Sequence, residues 1–225
     1  MAGTFSGRTF VLRIDRTPLD EATTLASDIG FLMQRGVRPI VVAPTTDAAR
    51  SYVRVLNRGS NVAVGLCGAD AALLPAAGTE SVGRVQSGIL ATLTSAGYVP
   101  VIEPTAFGLR GDDVALAADD VACAIAAATD AVRAIFFHTS GGVVDPASNA
   151  LLAELTPAEA LALADTEGLA PDLRTALRGA AFGVRAGVGA AQIVDGRIAH
   201  AAIVELVTTQ HLGTQIAGSV YLGAA

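Results

Sequence analysis

Three residues of this 225-residue chain stand at positions suited to acid–base chemistry. Asp119 and Asp172 stand at the starts of two predicted helices, and His138 ends an apolar stretch. A carboxylate and an imidazole held close together can pass a proton to and from a bound molecule. Asp119, His138 and Asp172 are therefore the candidate catalytic residues.

Each of them also has a structural explanation. An acid at a helix start is stabilised by the helix dipole and by free N–H groups, which is enough to account for Asp119. A histidine at the end of an apolar strand is commonly a hydrogen-bonded structural residue, which is the alternative for His138. Convergence of these side chains in one concave site would favour the catalytic interpretation.

A second polar group follows the first two predicted strands. The candidate ligand-binding residues are Arg13, Asp15, Arg16, Thr45 and Thr46. The first three either bind an anion or a zwitterion, or form an internal ion pair. The two threonines have a plainer explanation as part of a helix start, with the cap at Thr46 or Asp47.

Composition restricts the class of partner. All 15 basic residues are arginines, and arginine can bind phosphate but cannot serve as a neutral base or a compact ammonium group. The net charge of −6 and the absence of a basic stripe argue against nucleic acid, so the predicted partners are small molecules or protein surfaces. The two cysteines and three histidines lack metal-ligand spacing, and we predict no metal site.

The sequence indicates neither export nor membrane insertion. No apolar run is long enough to span a bilayer, and the first residues lack an apolar signal segment. Cys67 and Cys123 lie in apolar surroundings and are expected to be buried and reduced. We therefore predict no membrane partner and a cytoplasmic location.

Apolar stretches and helical patterns alternate along the chain. The predicted strands are Phe10–Ile14, Pro39–Ala43, Val62–Cys67, Val99–Glu103, Ala134–His138, Ala191–Val194 and a short one near Thr214–Ile216. The predicted helices are Pro18–Gln34, Asp47–Asn57, Val82–Ser95, Asp119–Arg133, Pro157–Asp165 and Asp172–Ala186. This alternation predicts an α/β fold with a mostly parallel sheet, whose ligands bind beyond the carboxyl ends of the strands.

Several motifs resemble the amino-acid kinase family, and within it the acetylglutamate kinases. They are Val62–Asp70, Ser81–Val85, Gly97–Pro104, Ala117–Ala126, Ile193–Ala202, Glu205–Leu206 and Leu212–Ile216. The resemblance covers about 155 residues in the family's order. It implies a three-layer α-β-α sandwich formed by one domain, with a substrate-side lobe of about 1–130 and a nucleotide-side lobe of about 131–225. It also implies that Asp119 matches the family's catalytic aspartate.

The chain departs from the family where the chemistry takes place. The family's first strand ends in a lysine and two glycines, which correspond here to Arg13, Asp15 and Arg16. The second catalytic lysine corresponds to Asp172, and a nucleotide-side aspartate to Thr139. Roughly forty residues of substrate lid after the second strand are missing, far more than ordinary loop variation.

Three functions are compatible with this pattern. The leading hypothesis is an acetylglutamate kinase-like pseudokinase that has lost ATP-dependent activity and serves small-molecule binding or subunit pairing. The alternatives are an acid–base enzyme in a biosynthetic pathway and a divergent ATP-dependent kinase of a carboxylate substrate. Whether the chain is an enzyme, and with which cofactor, stays open. Any nucleotide would be held by Thr139, Ser140 and Gly141.

The resemblance also implies a partner subunit. Members of the family commonly dimerise through their middle helix, which here is the predicted Asp47–Asn57. Tyr52, Val53 and Leu56 would face the second subunit. The expected assembly is a homodimer, or a hetero-oligomer with a kinase-like paralogue.

Overall fold

The structure is a computed structural model that describes residues 5–15, 19–79, 81–145, 148–201, 203–204 and 213–218. Its strands are β1 (Thr9–Arg13), β2 (Arg38–Val42), β3 (Ala63–Leu66), β4 (Val99–Ile102), β5 (Thr105–Phe107), β6 (Asp113–Ala115), β7 (Arg133–His138), β8 (Glu154–Leu155), β9 (Ala190–Asp195) and β10 (Gly213–Ala217). Its α-helices are α1 (Leu19–Gln34), α2 (Thr46–Leu56), α3 (Gly88–Ser95), α4 (Ala118–Ala128), α5 (Pro157–Ala164) and α6 (Pro171–Arg185).

Among the described residues, eight strands form one sheet in the order β3-β4-β2-β1-β7-β9-β10-β8, and β5 pairs with β6 in a separate hairpin. All neighbours in the large sheet are parallel except β9 and β10. The chain adds β2, β3 and β4 on one side of β1 and then returns to place β7 on the other side. The order of the strands therefore reverses between β1 and β7, which in open parallel sheets is the usual place for a ligand.

Helices cover both faces of the sheet, as the three-layer prediction requires. Side chains alternate along β1: Phe10 and Leu12 pack with α1 and α2, whereas Val11 packs with the cluster that contains α3, α4, α5 and α6. The middle residues of a strand that buries both faces must be apolar, and this is why residues 10–12 of β1, 39–42 of β2 and 99–102 of β4 form continuous apolar stretches.

The main elements agree with the prediction, but two helices are shorter than predicted. The helix expected over Val82–Ser95 begins only at Gly88, because Val82 bridges to Ala76 and the N–H of Gly83 donates to Pro75. The helix expected to reach Arg133 ends at Ala128, because Asp130 adopts a positive φ of 48° and the chain turns into β7. Three short strands, β5, β6 and β8, were missed.

The connection between β2 and α2 is very short, as the missing lid predicted. Only Ala43, Pro44 and Thr45 separate the two elements. The partner surface proposed on α2 is wrong, however, because Tyr52 and Leu56 are buried in the core of their own chain. Val53 is only partly buried, and it too packs against that core.

Candidate functional site

Five predicted site residues meet where the strand order reverses. Arg13 ends β1 and is followed by Asp15, while His138 ends the neighbouring strand β7. Asp119 lies in the first turn of α4 and Asp172 in the first turn of α6. We call these five residues the switch-point cluster.

Close packing of α4 on α6 helps to place the two helix starts beside the strand ends. Gly179 of α6 lies against α4, and a Cβ atom at this position would stand 2.9 Å from the sulfur of Cys123. A larger residue would force the helices apart, since real Cβ contacts are not this short. Gly179 thereby helps to keep Asp172 on the same side of the sheet as Asp119.

Arg13 and Asp119 form a buried ion pair. Their Nε and Oδ1 atoms are 2.6 Å apart, and the side chains are 13% and 6% exposed. The Nε–H bond is not directed at this oxygen, so the contact is a charge pair rather than an aligned hydrogen bond. A second nitrogen of Arg13, Nη1, lies 3.4 Å from Oδ1 of Asp15. Two carboxylates of the cluster thus share the Arg13 guanidinium.

The surroundings of Asp119 act on its pKa in opposite directions. Burial raises its pKa above the ordinary value of 3.8, and the charges of Asp120 and Asp15 act in the same direction. The charges of Arg13 and His138 oppose this effect but do not cancel it. A carboxyl group with a raised pKa is better able to hold and donate a proton than an ordinary surface aspartate.

Asp119 lies in the first turn of α4, as the helix-start explanation predicts, but it is not the capping residue. The N-cap of α4 is Ala117, and no side chain accepts a hydrogen bond there. The carboxylate instead faces Arg13 on β1. An internal ion pair was one of the two predicted roles of Arg13. Arg13 pairs with Asp15, as expected, and also with Asp119, which is distant in the sequence.

His138 is buried and has a neighbour on each ring nitrogen. Nε2 lies 3.1 Å from Oδ2 of Asp172, although the two are not aligned as a hydrogen bond. On the other side the backbone N–H of Ser140 donates to Nδ1 over 3.0 Å, and the Ser140 hydroxyl oxygen is 2.8 Å from the same nitrogen. Because Nδ1 accepts the backbone N–H, the ring proton of neutral His138 lies on Nε2.

The three residues predicted to hold a nucleotide form the turn after β7. Thr139 and Ser140 are exposed, and Gly141 has a φ of +73° that favours glycine. Gly142 also has a positive φ, of +133°. In this turn the Ser140 hydroxyl lies 2.8 Å from Nδ1 of His138 and donates to the Gly142 carbonyl oxygen.

The remaining predicted ligand-binding residues are less central. The Thr45 hydroxyl accepts the N–H of Ala48 over 3.2 Å, so Thr45 is the N-cap of α2. The prediction of a cap at Thr46 or Asp47 was wrong by one or two residues, and Thr46 is the first residue of the helix. Arg16 lies outside the described residues.

A second polar pair was missed from the sequence. Asp28 on α1 is buried, and its Oδ1 lies 2.5 Å from Nδ1 of His200, which follows β9. The pair borders a cavity of about 70 Å³ whose other lining residues include Thr24 and Arg197. The signal in the sequence was an acid on the apolar face of a helix. This cavity does not include the switch-point cluster.

Two further findings concern the described residues alone. No helix among them is long and apolar enough to cross a membrane. Their His, Cys, Asp and Glu side chains form no group of three or more that could hold a metal ion.

Residues 60–193 match the model of the amino acid kinase family. The chain is also 31% identical to an acetylglutamate kinase of Trichormus variabilis over 273 residues, with 96% of this chain and 90% of that protein covered. It belongs to the amino acid kinase family. An acetylglutamate kinase of Thermosynechococcus vestitus is similar to the same extent, at 30% identity over 271 residues.

Solved structures share the fold. An N-acetylglutamate synthase from Neisseria gonorrhoeae, complexed with coenzyme A and N-acetyl-glutamate, superposes with a TM-score of 0.83 at 21% identity. The match covers 97% of this chain but 61% of the synthase chain. A carbamate kinase from Giardia lamblia bound to AMP-PNP has a TM-score of 0.71 at 12% identity, with 96% and 99% covered.

The Trichormus kinase is longer than this chain. The alignment with the Trichormus kinase extends over 273 residues, more than the 225 of this chain, because the kinase has segments without a counterpart here. The direct step from β2 to α2 is one place where a family member could carry such a segment. The chain is acetylglutamate kinase-like in its family and fold.

Proposed function

We propose that this member of the amino acid kinase family has lost ATP-dependent phosphoryl transfer and uses its switch-point cluster to bind a small molecule. The single observation that carries the proposal is the pairing of Arg13 with Asp119 and Asp15. Arg13 stands where the family resemblance places a catalytic lysine. Its charge is already balanced by two carboxylates and is not free to neutralise a phosphate.

Phosphoryl transfer depends on positive groups that stabilise the charge spread over the phosphate oxygens. The second family lysine corresponds to Asp172, whose carboxylate faces His138 rather than a cation of fixed charge. Among the described residues of the cluster, three carboxylates therefore oppose one guanidinium and one imidazole. Such a site disfavours a triphosphate and favours a ligand that carries a positive group beside its carboxylate or hydroxyl groups.

The test is a direct assay of phosphoryl transfer. Purified protein is incubated with MgATP and N-acetylglutamate, ADP release is followed, and the Trichormus kinase serves as the positive control. We expect no ADP release above that of an Asp119→Asn variant, and no rise in melting temperature with MgATP or MgADP. Turnover that Asp119→Asn abolishes would overturn the proposal and establish the divergent kinase.

A second candidate function, acid–base catalysis, is favoured by the contact of His138 with Asp172 and by the raised pKa of Asp119. Two titratable groups in different environments are the usual basis of an acid and a base at one site. An enzyme of this type would exchange a substrate proton next to a carbonyl group. Incubation of a panel of N-acyl amino acids in deuterated water, followed by NMR, would detect this exchange. Loss of exchange in Asp172→Asn would support it, and no exchange with any compound would argue against it.

Pairing with another subunit is the remaining part of the proposal. The surface first considered for it is buried at Tyr52 and Leu56, so a partner would have to use another face. Light scattering on the purified chain, alone and mixed with a coexpressed kinase-like paralogue, measures the assembly directly. A monomer under both conditions would remove subunit pairing from the proposed function.

A further inference from the structure

We propose that Ser140, His138 and Asp172 form a nucleophilic relay that accepts an acyl group from an ester or thioester onto the Ser140 hydroxyl. We call these residues the Ser140 relay. The inference goes beyond the small-molecule binding proposed above and does not depend on the loss of kinase activity. It rests on the arrangement of a hydroxyl, an imidazole and a carboxylate in series at the carboxyl end of β7.

The distances match those of an activated serine. The Ser140 hydroxyl oxygen lies 2.8 Å from Nδ1 of His138, and Nε2 of the same ring lies 3.1 Å from Oδ2 of Asp172. A nucleophile within hydrogen-bond distance of a base, with that base in turn held by a third group, is the geometric signature of covalent catalysis. The ring nitrogens exchange roles relative to the serine proteases, but the chemistry requires only one basic and one protonated nitrogen.

The tautomer of neutral His138 leaves Nδ1, the nitrogen next to the Ser140 hydroxyl, without a proton. The N–H of Ser140 donates to Nδ1, so this nitrogen carries the lone pair of the ring, and the hydroxyl must displace that N–H before it can pass its proton to Nδ1. The ring proton then lies on Nε2, next to the Asp172 carboxylate that would stabilise the imidazolium. Asp172 is 62% exposed and can rotate into alignment, since catalytic hydrogen bonds in unliganded sites are often poorly aligned.

Access is also suitable. Ser140 is exposed whereas His138 is 4% exposed, so a substrate can reach the hydroxyl while the base stays shielded beneath it. The hydroxyl has a competing acceptor, the Gly142 carbonyl oxygen at 3.0 Å. Attack requires the hydroxyl to turn its proton from this carbonyl to Nδ1.

The proposed reaction has two balanced steps. The Ser140 oxygen forms a bond to the acyl carbon, the bond from that carbon to the alcohol or thiol breaks, and the hydroxyl proton passes through Nδ1 to the leaving group. Water then attacks the acyl carbon and gives a proton to Nδ1, the bond to Ser140 breaks, and the proton returns to the serine. No redox partner is needed.

The test uses a fluorophosphonate probe, which reacts with activated serines. The purified full chain is labelled at neutral pH, and the modified residue is located by mass spectrometry. We expect label on Ser140, complete loss of it in Ser140→Ala, and a labelling rate at least about 100-fold lower in His138→Gln. The matched control is Ser148→Ala, because the exposed Ser148 hydroxyl donates to the Asp145 carboxylate over 2.6 Å.

Asp172 acts through His138 and is therefore a positioning residue. Asp172→Asn should move the pH–rate profile of labelling to lower pH, since the carboxylate that stabilises the imidazolium is gone, and Asp172→Glu should restore the profile. The charged groups that face His138 include Asp172 from α6 and Asp119 from α4. An unchanged profile in Asp172→Asn would remove Asp172 from the relay.

p-Nitrophenyl acetate tests the acyl chemistry itself. An initial burst of about one nitrophenolate per chain, absent in Ser140→Ala, would show the acyl-enzyme. Ser140 labelling no faster than that of Ser148, or equal in His138→Gln, would overturn the proposal and leave the hydroxyl with its turn hydrogen bond alone. Neither outcome depends on ATP, so the result is independent of the phosphoryl-transfer assay.

Discussion

Arg13 at the end of β1 lies 2.6 Å from Asp119 in the first turn of α4, and both side chains are largely shielded from water. The two residues are far apart in the sequence and meet because α4 packs against β1. In this ion pair the Arg13 guanidinium is shielded from solvent and is not available to a ligand. The pair also leaves each partner dependent on the other for its charge balance.

Loss of one partner of this pair should therefore be costly. We expect Arg13→Gln to lower the free energy of unfolding by about 3–5 kcal/mol, because it leaves the Asp119 carboxylate buried without a counter-charge. The pKa of Asp119 should rise further, since the Arg13 charge now lowers it. Urea unfolding measures the first effect. The double variant Arg13→Gln/Asp119→Asn is the control and should recover part of the loss, whereas simple additivity would contradict the coupling.

Asp172→Ala separates a scaffold from a catalyst. Because Asp172 is 62% exposed, its contact with His138 resembles a surface pair, and the variant should lose no more than about 1 kcal/mol of stability. Any acid–base or acyl-transfer activity should fall much more than this small change in stability. Thermal unfolding and the assays described above are compared on the same preparation. A large loss of stability would mean that Asp172 has mainly a structural role.

Stability should depend on pH through Asp28. Burial raises the pKa of this acid above 3.8, against the smaller opposite effects of the hydrogen bond and charge of His200. The folded state then holds a proton that the unfolded chain releases. This favourable contribution is complete below about pH 3.8 and is lost as the pH rises through the raised pKa.

The measurement is the free energy of unfolding of wild type and Asp28→Asn from acid to neutral pH. The amide stays neutral, so the variant should gain stability relative to wild type as the pH rises. A constant difference across this range would show that Asp28 titrates alike in both states. A loss of stability of Asp28→Asn relative to wild type as the pH rises would mean that the interaction of Asp28 with His200 outweighs the effect of burial.

The start of α5 offers a local test. Thr156 accepts the N–H of Glu159, and the Glu159 carboxylate accepts the N–H of Thr156, so the two form a capping box. Thr156→Ala should cost about 1 kcal/mol of stability by urea unfolding. Ser87→Ala is the matched control, because Ser87 is the N-cap of α3 but its side chain makes no capping hydrogen bond. Equal losses in both variants would show that the Thr156 cap contributes little.

Local features were predictable from the sequence because they depend on neighbours a few residues apart. The capping box at Thr156 and the apolar strands around β1 and β7 are of this kind, and they were predicted at the correct places. The late start of α3 was not, since Val82 forms a bridge with Ala76 that the helical periodicity of the sequence does not reveal. Tyr52 was placed at a subunit interface because of the family resemblance, whereas it packs in the core of its own chain.

The features of the site also divide into those that the sequence determines and those that depend on tertiary contacts. The sequence by itself determined the family, the alternation of strands and helices, the short step after β2, and the lack of any lysine, all of which are properties of residue type and order. Only the tertiary structure decided that Arg13 pairs with Asp119, and that His138 lies between Ser140 and Asp172. Charge pairing and burial depend on which strands are neighbours and how closely helices pack. Those are contacts between distant parts of the chain, which no local pattern specifies.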